Sequence, residues 1–280
     1  MIPFQKISIL GGGLLGGSAA LACPAAHQTV LWSRREEASS EARALGIHAT
    51  SDLATAVHEA DLVIMCVPVG HMATLLQQAI DAGLPAGCLV TDVGSVKRQP
   101  HDTLRPLLQS SGLRFIGSHP MAGGEKQGIA HARSNLFENA ACLLTNDENV
   151  ESETCQALEQ FWQSLGCRTA WGTAEEHDAI VARVSHLPHV LACFGALVAL
   201  KQPRWGQYCG NGLRDTTRVA SGSPSMWAEI LLENRDQIRT VLEETRREID
   251  VITAMLEAND RAGLEHWLAE AKERRDGLSR

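Results

Sequence analysis

The sequence contains no C-x-x-C pair, no internal repeat, no low-complexity tract, and no run near the roughly 18 consecutive apolar residues of a membrane span. Its 24 Gly and 10 Pro are dispersed rather than periodic. Collagen-like, disordered and transmembrane classes are therefore excluded. Cations are not in excess either: 25 Lys plus Arg face 33 Asp plus Glu, and the net charge is -8. That is the wrong sign for coating nucleic acid or an anionic membrane, so an anionic ligand must find a local cluster of cations. The N-terminus lacks a charged segment followed by a long apolar one, and no secretory signal is expected. Eight scattered cysteines, several inside apolar runs, read as a reduced inventory and predict a cytoplasmic protein. What remains is ordinary: 280 residues, 44% hydrophobic and 21% charged, enough for one or two domains with a substantial core.

From Lys6 to about Trp171, short strand-like runs alternate with helical patterns, which implies crossover units on a parallel sheet. The strand candidates are 7–10, 29–32, 62–67, 89–91, 115–116, 141–144 and 168–170, and helical spacing marks 36–45, 72–82 and 152–165. After Gly172 no convincing strand remains. One helix is expected from Glu175 to about Leu200, and another from near Ser225 through Ile252. A boundary near residue 172 follows, giving domains 1–172 and 173–280. Charges such as Glu243, Glu244, Arg246, Arg247 and Glu248 fall on the faces left by the apolar spacing and read as a solvated surface. So many apolar positions in a helical half also suit burial against a second copy of the chain.

The run Gly11-Gly12-Gly13-Leu14-Leu15-Gly16 follows the first strand and opens a helix. Gly11 suits the tight turn, Gly13 a close approach to a pyrophosphate, and Gly16 close packing of helix on strand. The helix N-terminus would supply N–H donors and positive dipole to phosphates. Leu14 and Leu15 within this loop, with Val67 and Pro68 at the end of the third long strand, complete the expected dinucleotide-binding set. An acidic residue about 20 positions on normally binds the adenosine ribose, yet Ser33, Arg34 and Arg35 stand there instead. A hydroxyl with two guanidiniums suits a 2′-phosphate, so NADP is predicted over NAD. The alternative is that the two arginines only cap a surface turn, partly neutralised by Glu36 and Glu37.

Two further segments, 91–97 (TDVGSVK) and 117–125 (GSHPMAGGE), fall just past strand ends, where open parallel sheets place reactive groups. His119, expected in a loop, is a candidate general base, and Ser95 could orient it or a substrate hydroxyl. His186 and His189 stand three apart on one helix face if Pro188 only kinks that helix. No nearby carboxylate or cysteine completes a metal site with them, and no metal is expected. Arg214 and Arg218, with Asp215 between them, form either a surface ion pair or a carboxylate clamp.

Taken together, these segments resemble the prephenate/arogenate dehydrogenase family of tyrosine biosynthesis. The match runs in order through Gly11–Gly16, 91–97, 117–123, Asn135-Leu136-Phe137, Ser185-His186-Leu187-Pro188-His189, and 212–218 followed by Met226-Trp227, spanning about residues 6–230. The resemblance implies an N-terminal Rossmann-type domain and a C-terminal helical domain that forms a homodimer. It implies oxidative decarboxylation of prephenate or arogenate with a nicotinamide cofactor. His119 then matches the base that takes the ring-hydroxyl proton, and Ser95 a serine bonded to the same hydroxyl. His189 and Arg218 match substrate ligands, Arg218 for a carboxylate. Glu125 matches an acidic residue near the site entrance, with His186 and Arg214 adjacent. The residues at Ser33–Arg35 resemble the NADP-using members. Two other readings stay open. One is a β-hydroxyacid dehydrogenase or imine reductase relative, for which Lys97 is the one candidate; the other is a dinucleotide-sensing dimer without turnover. No added regulatory domain is expected.

Overall fold

Strands β1 (Lys6–Leu10), β2 (Gln28–Trp32), β3 (Ala49–Thr50), β4 (Leu62–Met65), β5 (Leu89–Asp92) and β6 (Arg114–Phe115) form one parallel sheet, ordered β3-β2-β1-β4-β5-β6. The computed structural model describes residues 4–23, 28–124, 126 and 128–278. Successive strand side chains face opposite ways, and both faces here are apolar. Ile7, Ile9, Leu62 and Ile64 pack into one core cluster, while Leu10, Val63, Met65 and Val90 pack into another. The helices that cover the sheet are α1 (Leu14–Ala22), α2 (Glu36–Ala44), α3 (Leu53–Val57), α4 (Met72–Asp81) and α5 (Arg98–Ser111). Strand order reverses between β1 and β4, and the crevice at such a switch point is where doubly wound sheets bind nucleotides.

A second sheet, β7 (Gly117–Pro120), β8 (Ala141–Thr145) and β9 (Arg168–Gly172), pairs β7 antiparallel to β8 and β8 parallel to β9, with α6 (Ser152–Ser164) between the last two strands. His119 therefore lies in a strand opposite Leu143, not in a loop. The Gly-Ser-His-Pro composition reads as a turn, and the ladder with β8 overrides it.

The helical part begins with α7 (Ala174–Val181), a π turn over Ala182–His186, and α8 (Leu187–Ala199). The Thr173 hydroxyl accepts from the Glu176 N–H, and the Glu176 carboxylate closes a capping box at the start of α7. A π turn widens the helix where Pro188, with no N–H to donate, would otherwise break the ladder. Residues 174–199 are long and apolar enough to cross a membrane by length and composition alone. Their buried polar side chains, His177, Asp178, His186 and His189, build the site described below. Next come α9 (Asn211–Thr217), α10 (Pro224–Glu233), α11 (Arg235–Glu257) and α12 (Arg261–Asp276). The single helix expected through Ile252 is thus interrupted at Asn234, whose side chain bonds to other segments.

By compactness the chain divides into Met1–Asn234 and Arg235–Arg280. The division expected at residue 172 marks where strands give way to helices, and it is not where the compact units part. Asp178 on α7 and Asn234 at the end of α10 both bond to the segment after β5, which joins these helices to the sheet unit. In the second unit, the Asp260 carboxylate caps α12 by accepting from the Gly263 N–H, and Trp267 Nε1 donates to Glu248 on α11. Glu243 and Arg246 pair on the exposed surface of α11, as the charge pattern implied.

Candidate active site

The glycine turn sits at the switch point. Gly11 has φ of +133°, and a Cβ there would stand 2.3 Å from the Cys66 carbonyl oxygen at the end of β4. Gly16 packs so closely on the turn that its Cβ would stand 2.0 Å from the Gly11 carbonyl oxygen. By contrast nothing among the described residues lies within 4 Å of a Cβ at Gly13, so backbone is open to a ligand beside the start of α1. Leu14 and Leu15 open that helix, and Val67 and Pro68 follow β4. Ser33 is buried against Gly12, while Arg34 and Arg35 are exposed. Glu36 pairs with Arg43 and accepts from the Ser51 hydroxyl. It does not pair with either neighbouring arginine among the described ion pairs.

The end of β5 carries a buried ion pair. Asp92 and Lys97 are both fully buried, and Lys97 Nζ donates to the Asp92 carboxylate and to the carbonyls of Gly94 (2.9 Å) and Val96 (3.0 Å). Asp92 also accepts from the Gly94 N–H at 2.8 Å and the Ser118 N–H at 3.1 Å. One charge pair thus fixes the turn holding Ser95 and the strand residue preceding His119. Because Lys97 is spent on this turn, it is not the free reactive lysine that a β-hydroxyacid dehydrogenase mechanism needs.

His119 heads a chain of hydrogen bonds that sequence reasoning missed. Its Nδ1 lies 2.8 Å from His177 Nε2, and His177 Nδ1 lies 2.8 Å from Asp178 Oδ1. Asp178 further accepts from the backbone N–H groups of Lys97 (2.7 Å) and Arg98 (3.1 Å). Burial works to raise Asp178, yet the bonds from His177 and those two N–H groups outweigh it and hold the carboxyl below its usual value. An ionised Asp178 only accepts, so His177 carries its proton on Nδ1 and accepts at Nε2. His119 must then carry its proton on Nδ1, which leaves Nε2 as a bare lone pair. Burial first, then the neighbouring His177 and Lys97, pushes the His119 ring well below its ordinary value. This arrangement can serve as a neutral base, with charge developing on His119 stabilised through His177 by a carboxylate. The only trace of this relay in sequence was a His-Asp pair inside an amphipathic helix.

His186 and His189 are both buried on the same rod as the relay. The His189 ring stacks on Trp227 with centroids 3.5 Å apart and planes at 8°, and His186 meets the same indole edge-on. Burial lowers His186 to about 4 and lowers His189, while the carbonyls of Ser95 and Val219 face the two rings and work against that shift. The structure thus brings His119, His186, His189 and the Ser95 turn into one neighbourhood. Arg214 on α9 and Arg218 in the turn after it are exposed, and that turn reaches the site through Val219. Glu125 lies outside the described residues. A cleft of about 370 Å³, lined by Leu143, Thr145, Trp171, Glu176 and Ile180, opens onto His177.

Five buried rings, His101, His119, His177, His186 and His189, are all lowered, each chiefly by burial. A histidine with a folded pKa below its unfolded value near 6.5 gives up stability as pH falls below that value. Glu233, raised by burial to about 7, acts oppositely, losing stability as pH rises through 7. With the rings in the majority, the urea midpoint is expected to fall between pH 7 and 5, each ring contributing up to about 1.4 kcal/mol per pH unit. A flat midpoint over that range would show the rings to be charged in the folded protein.

A glycine turn open at the switch point of a parallel sheet, with a neutral histidine base held nearby, defines a dehydrogenase that works with a pyridine nucleotide. Residues 20–171 match the nucleotide-binding domain of prephenate dehydrogenase, and residues 173–270 match its dimerization domain. The chain belongs to the prephenate dehydrogenase family. It is 34% identical over 285 residues to a prephenate dehydrogenase of Bacillus subtilis, covering 98% of this chain and 76% of that protein. It is also 34% identical to a cyclohexadienyl dehydrogenase of Zymomonas mobilis, covering 98% and 96% of the two chains. Among solved structures, an Aquifex aeolicus prephenate dehydrogenase in complex with hydroxyphenyl propionate and NAD+ superimposes with a TM-score of 0.88 at 27% identity, covering 98% of each chain. A Synechocystis arogenate dehydrogenase gives 0.82 at 28% identity, covering 97% and 99%.

Proposed function

We propose that the protein catalyses oxidative decarboxylation of prephenate or arogenate with NADP, yielding 4-hydroxyphenylpyruvate or tyrosine. The observation that carries this reading is the relay that leaves His119 Nε2 as an unprotonated acceptor in a buried site. In this mechanism Nε2 takes the proton of the substrate's ring hydroxyl, and Ser95 bonds to the same oxygen. Asp178, through His177, stabilises the imidazolium as it forms. When bound, the cofactor supplies the hydride acceptor for the ring carbon. The ring carboxylate leaves as CO2, its bonding electrons complete the aromatic ring, and the phenolate oxygen so formed takes back the proton held on His119 Nε2. Arg218 and His189 hold substrate carboxylate, with His186 and Arg214 beside them and Glu125 at the entrance. The two guanidiniums, of Arg214 and Arg218, answer the need for a local anion site in a chain of net charge -8.

Gly11, Gly13, Leu14, Leu15 and Gly16 would hold the pyrophosphate, with Val67 and Pro68 alongside. Ser33, Arg34 and Arg35 would take the 2′-phosphate. Glu36 pairs with Arg43 while Arg34 and Arg35 are exposed, which supports that role over simple turn capping. Residue 172 then separates the nucleotide-binding part from the substrate-binding and dimerising part. Val184, Leu197 and Val198 are 62%, 74% and 75% exposed on the site helix, a face suited to a second copy of the chain. Eight free thiols fit a cytoplasmic enzyme.

Rates of reduced-nicotinamide formation with prephenate and with arogenate, each with NADP and NAD, test the proposal. Turnover is expected with at least one substrate, with kcat/KM about tenfold or more higher for NADP, a difference of about 1.4 kcal/mol. A preference for NAD would remove Ser33–Arg35 from phosphate recognition. Tight cofactor binding without turnover of either substrate would favour the sensing dimer.

A further inference from the structure

Asn234 is fully buried at the point where the long C-terminal helix breaks, and each of its side-chain atoms is engaged. Arg98 Nη2 donates to Oδ1 at 3.2 Å, and Nδ2 donates to the Asp178 carbonyl at 2.8 Å. A guanidinium only donates and a carbonyl only accepts, so the orientation of this amide is unambiguous. The same Nδ2 lies 3.3 Å from His186 Nδ1. A donor amide at that position requires His186 Nδ1 to accept, and a neutral imidazole then carries its proton on Nε2. Nε2 sits on the opposite edge of the ring and is buried without a hydrogen-bond partner among the described residues. A buried donor left unpaired is costly, and the Ser95 carbonyl faces the ring without reaching hydrogen-bond geometry with Nε2, so this donor suits an acceptor that arrives with a bound ligand. The ring carrying it is faced by the Ser95 carbonyl and stands near His119 and His189. Helix α10 is anchored independently, because Glu229 Oε1 accepts from the Gly70 N–H at 2.9 Å in the turn after β4.

We propose that Asn234 is a positioning residue of the catalytic centre: it fixes His186 as the Nε2–H tautomer and so offers a buried donor, beside Ser95, to an oxygen of the bound ligand. In naming that oxygen the proposal rests on the dehydrogenase reading above, whereas the tautomer does not. Two sources share the required chemistry, a carboxylate of the substrate and the carboxamide oxygen of the nicotinamide.

The test is a 15N spectrum of the full-length, histidine-labelled protein without ligand, with His186 assigned by its loss in His186→Gln. The wild-type ring is expected to resonate as the Nε2–H tautomer. In Asn234→Asp the introduced carboxylate accepts only, so His186 is expected to gain a proton on Nδ1, a change that mere loosening of the fold does not produce. In the same variant kcat/KM is expected to fall about tenfold or more. A loss concentrated in substrate KM assigns the oxygen to the substrate, and a loss in NADP+ affinity assigns it to the carboxamide. Should Asn234→Asp not fold, Asn234→Ser removes the amide without adding charge and is expected to leave the ring as a mixture of tautomers. A wild-type ring protonated on Nδ1, or a switched tautomer with unchanged kinetics, overturns the proposal. If the protein turns over neither substrate, the spectrum still decides the tautomer.

Discussion

His119→Asn is expected to lower kcat by about 10²–10⁴-fold while substrate and cofactor continue to bind. Asparagine retains a polar side chain in strand β7, so the ladder with β8 survives. What disappears is the lone pair on Nε2 and the route by which its charge reaches Asp178 through His177. The pH dependence carries the same information. The base must be neutral to act, so activity falls as pH drops through its pKa, and the downward push on His119 places that acid limb below 6.5. Stopped-flow measurement of nicotinamide reduction, alongside equilibrium binding of cofactor, separates the two effects. A variant that loses binding in proportion to rate would make His119 a ligand and not a base.

Lys97→Met is expected to destabilise the fold by about 3–5 kcal/mol, because it strands the Asp92 carboxylate in a site without solvent. Methionine nearly matches the aliphatic stem, so the loss reports charge and hydrogen bonds and not volume. Asp92 would need a proton to stay buried, and Gly94 and Val96 would lose the donor that draws their carbonyls together. Urea unfolding at neutral pH measures the loss. The double variant Asp92→Asn, Lys97→Met is expected to recover part of it, since no uncompensated charge then remains. If the single change costs less than about 1 kcal/mol, the pair is not the clamp described here.

What the sequence made readable and what it hid follow from how local each signal is. The residues of the glycine turn, and of each strand–helix unit of the parallel sheet, lie within a few positions of one another, and the structure forms them as expected. Strand β7 was hidden because Gly117-Ser118-His119-Pro120 has turn composition, and its partner β8 begins only at Ala141. The relay was hidden for a similar reason: His177 touches His119 across 58 positions, and its own surroundings look like an ordinary amphipathic helix. The interruption at Asn234 escaped because apolar spacing continues past it on both sides. Only the pull of Asp178, His186 and Arg98 on one amide shows why the helix stops there.

The rod formed by residues 174–199 carries both the proton relay, at His177 and Asp178, and the aromatic-stacked pair, His186 and His189. Because one continuous helical segment carries both sets, a shift of one set is expected to drag the other, coupling the relay to the stacked pair. If the chain acts on prephenate or arogenate as proposed, the exposed Arg214–Arg218 segment is where a residue can change for a keto-bearing or an amine-bearing side chain without retuning the base. An engineer seeking altered selectivity has reason to begin at that segment and leave the rod intact.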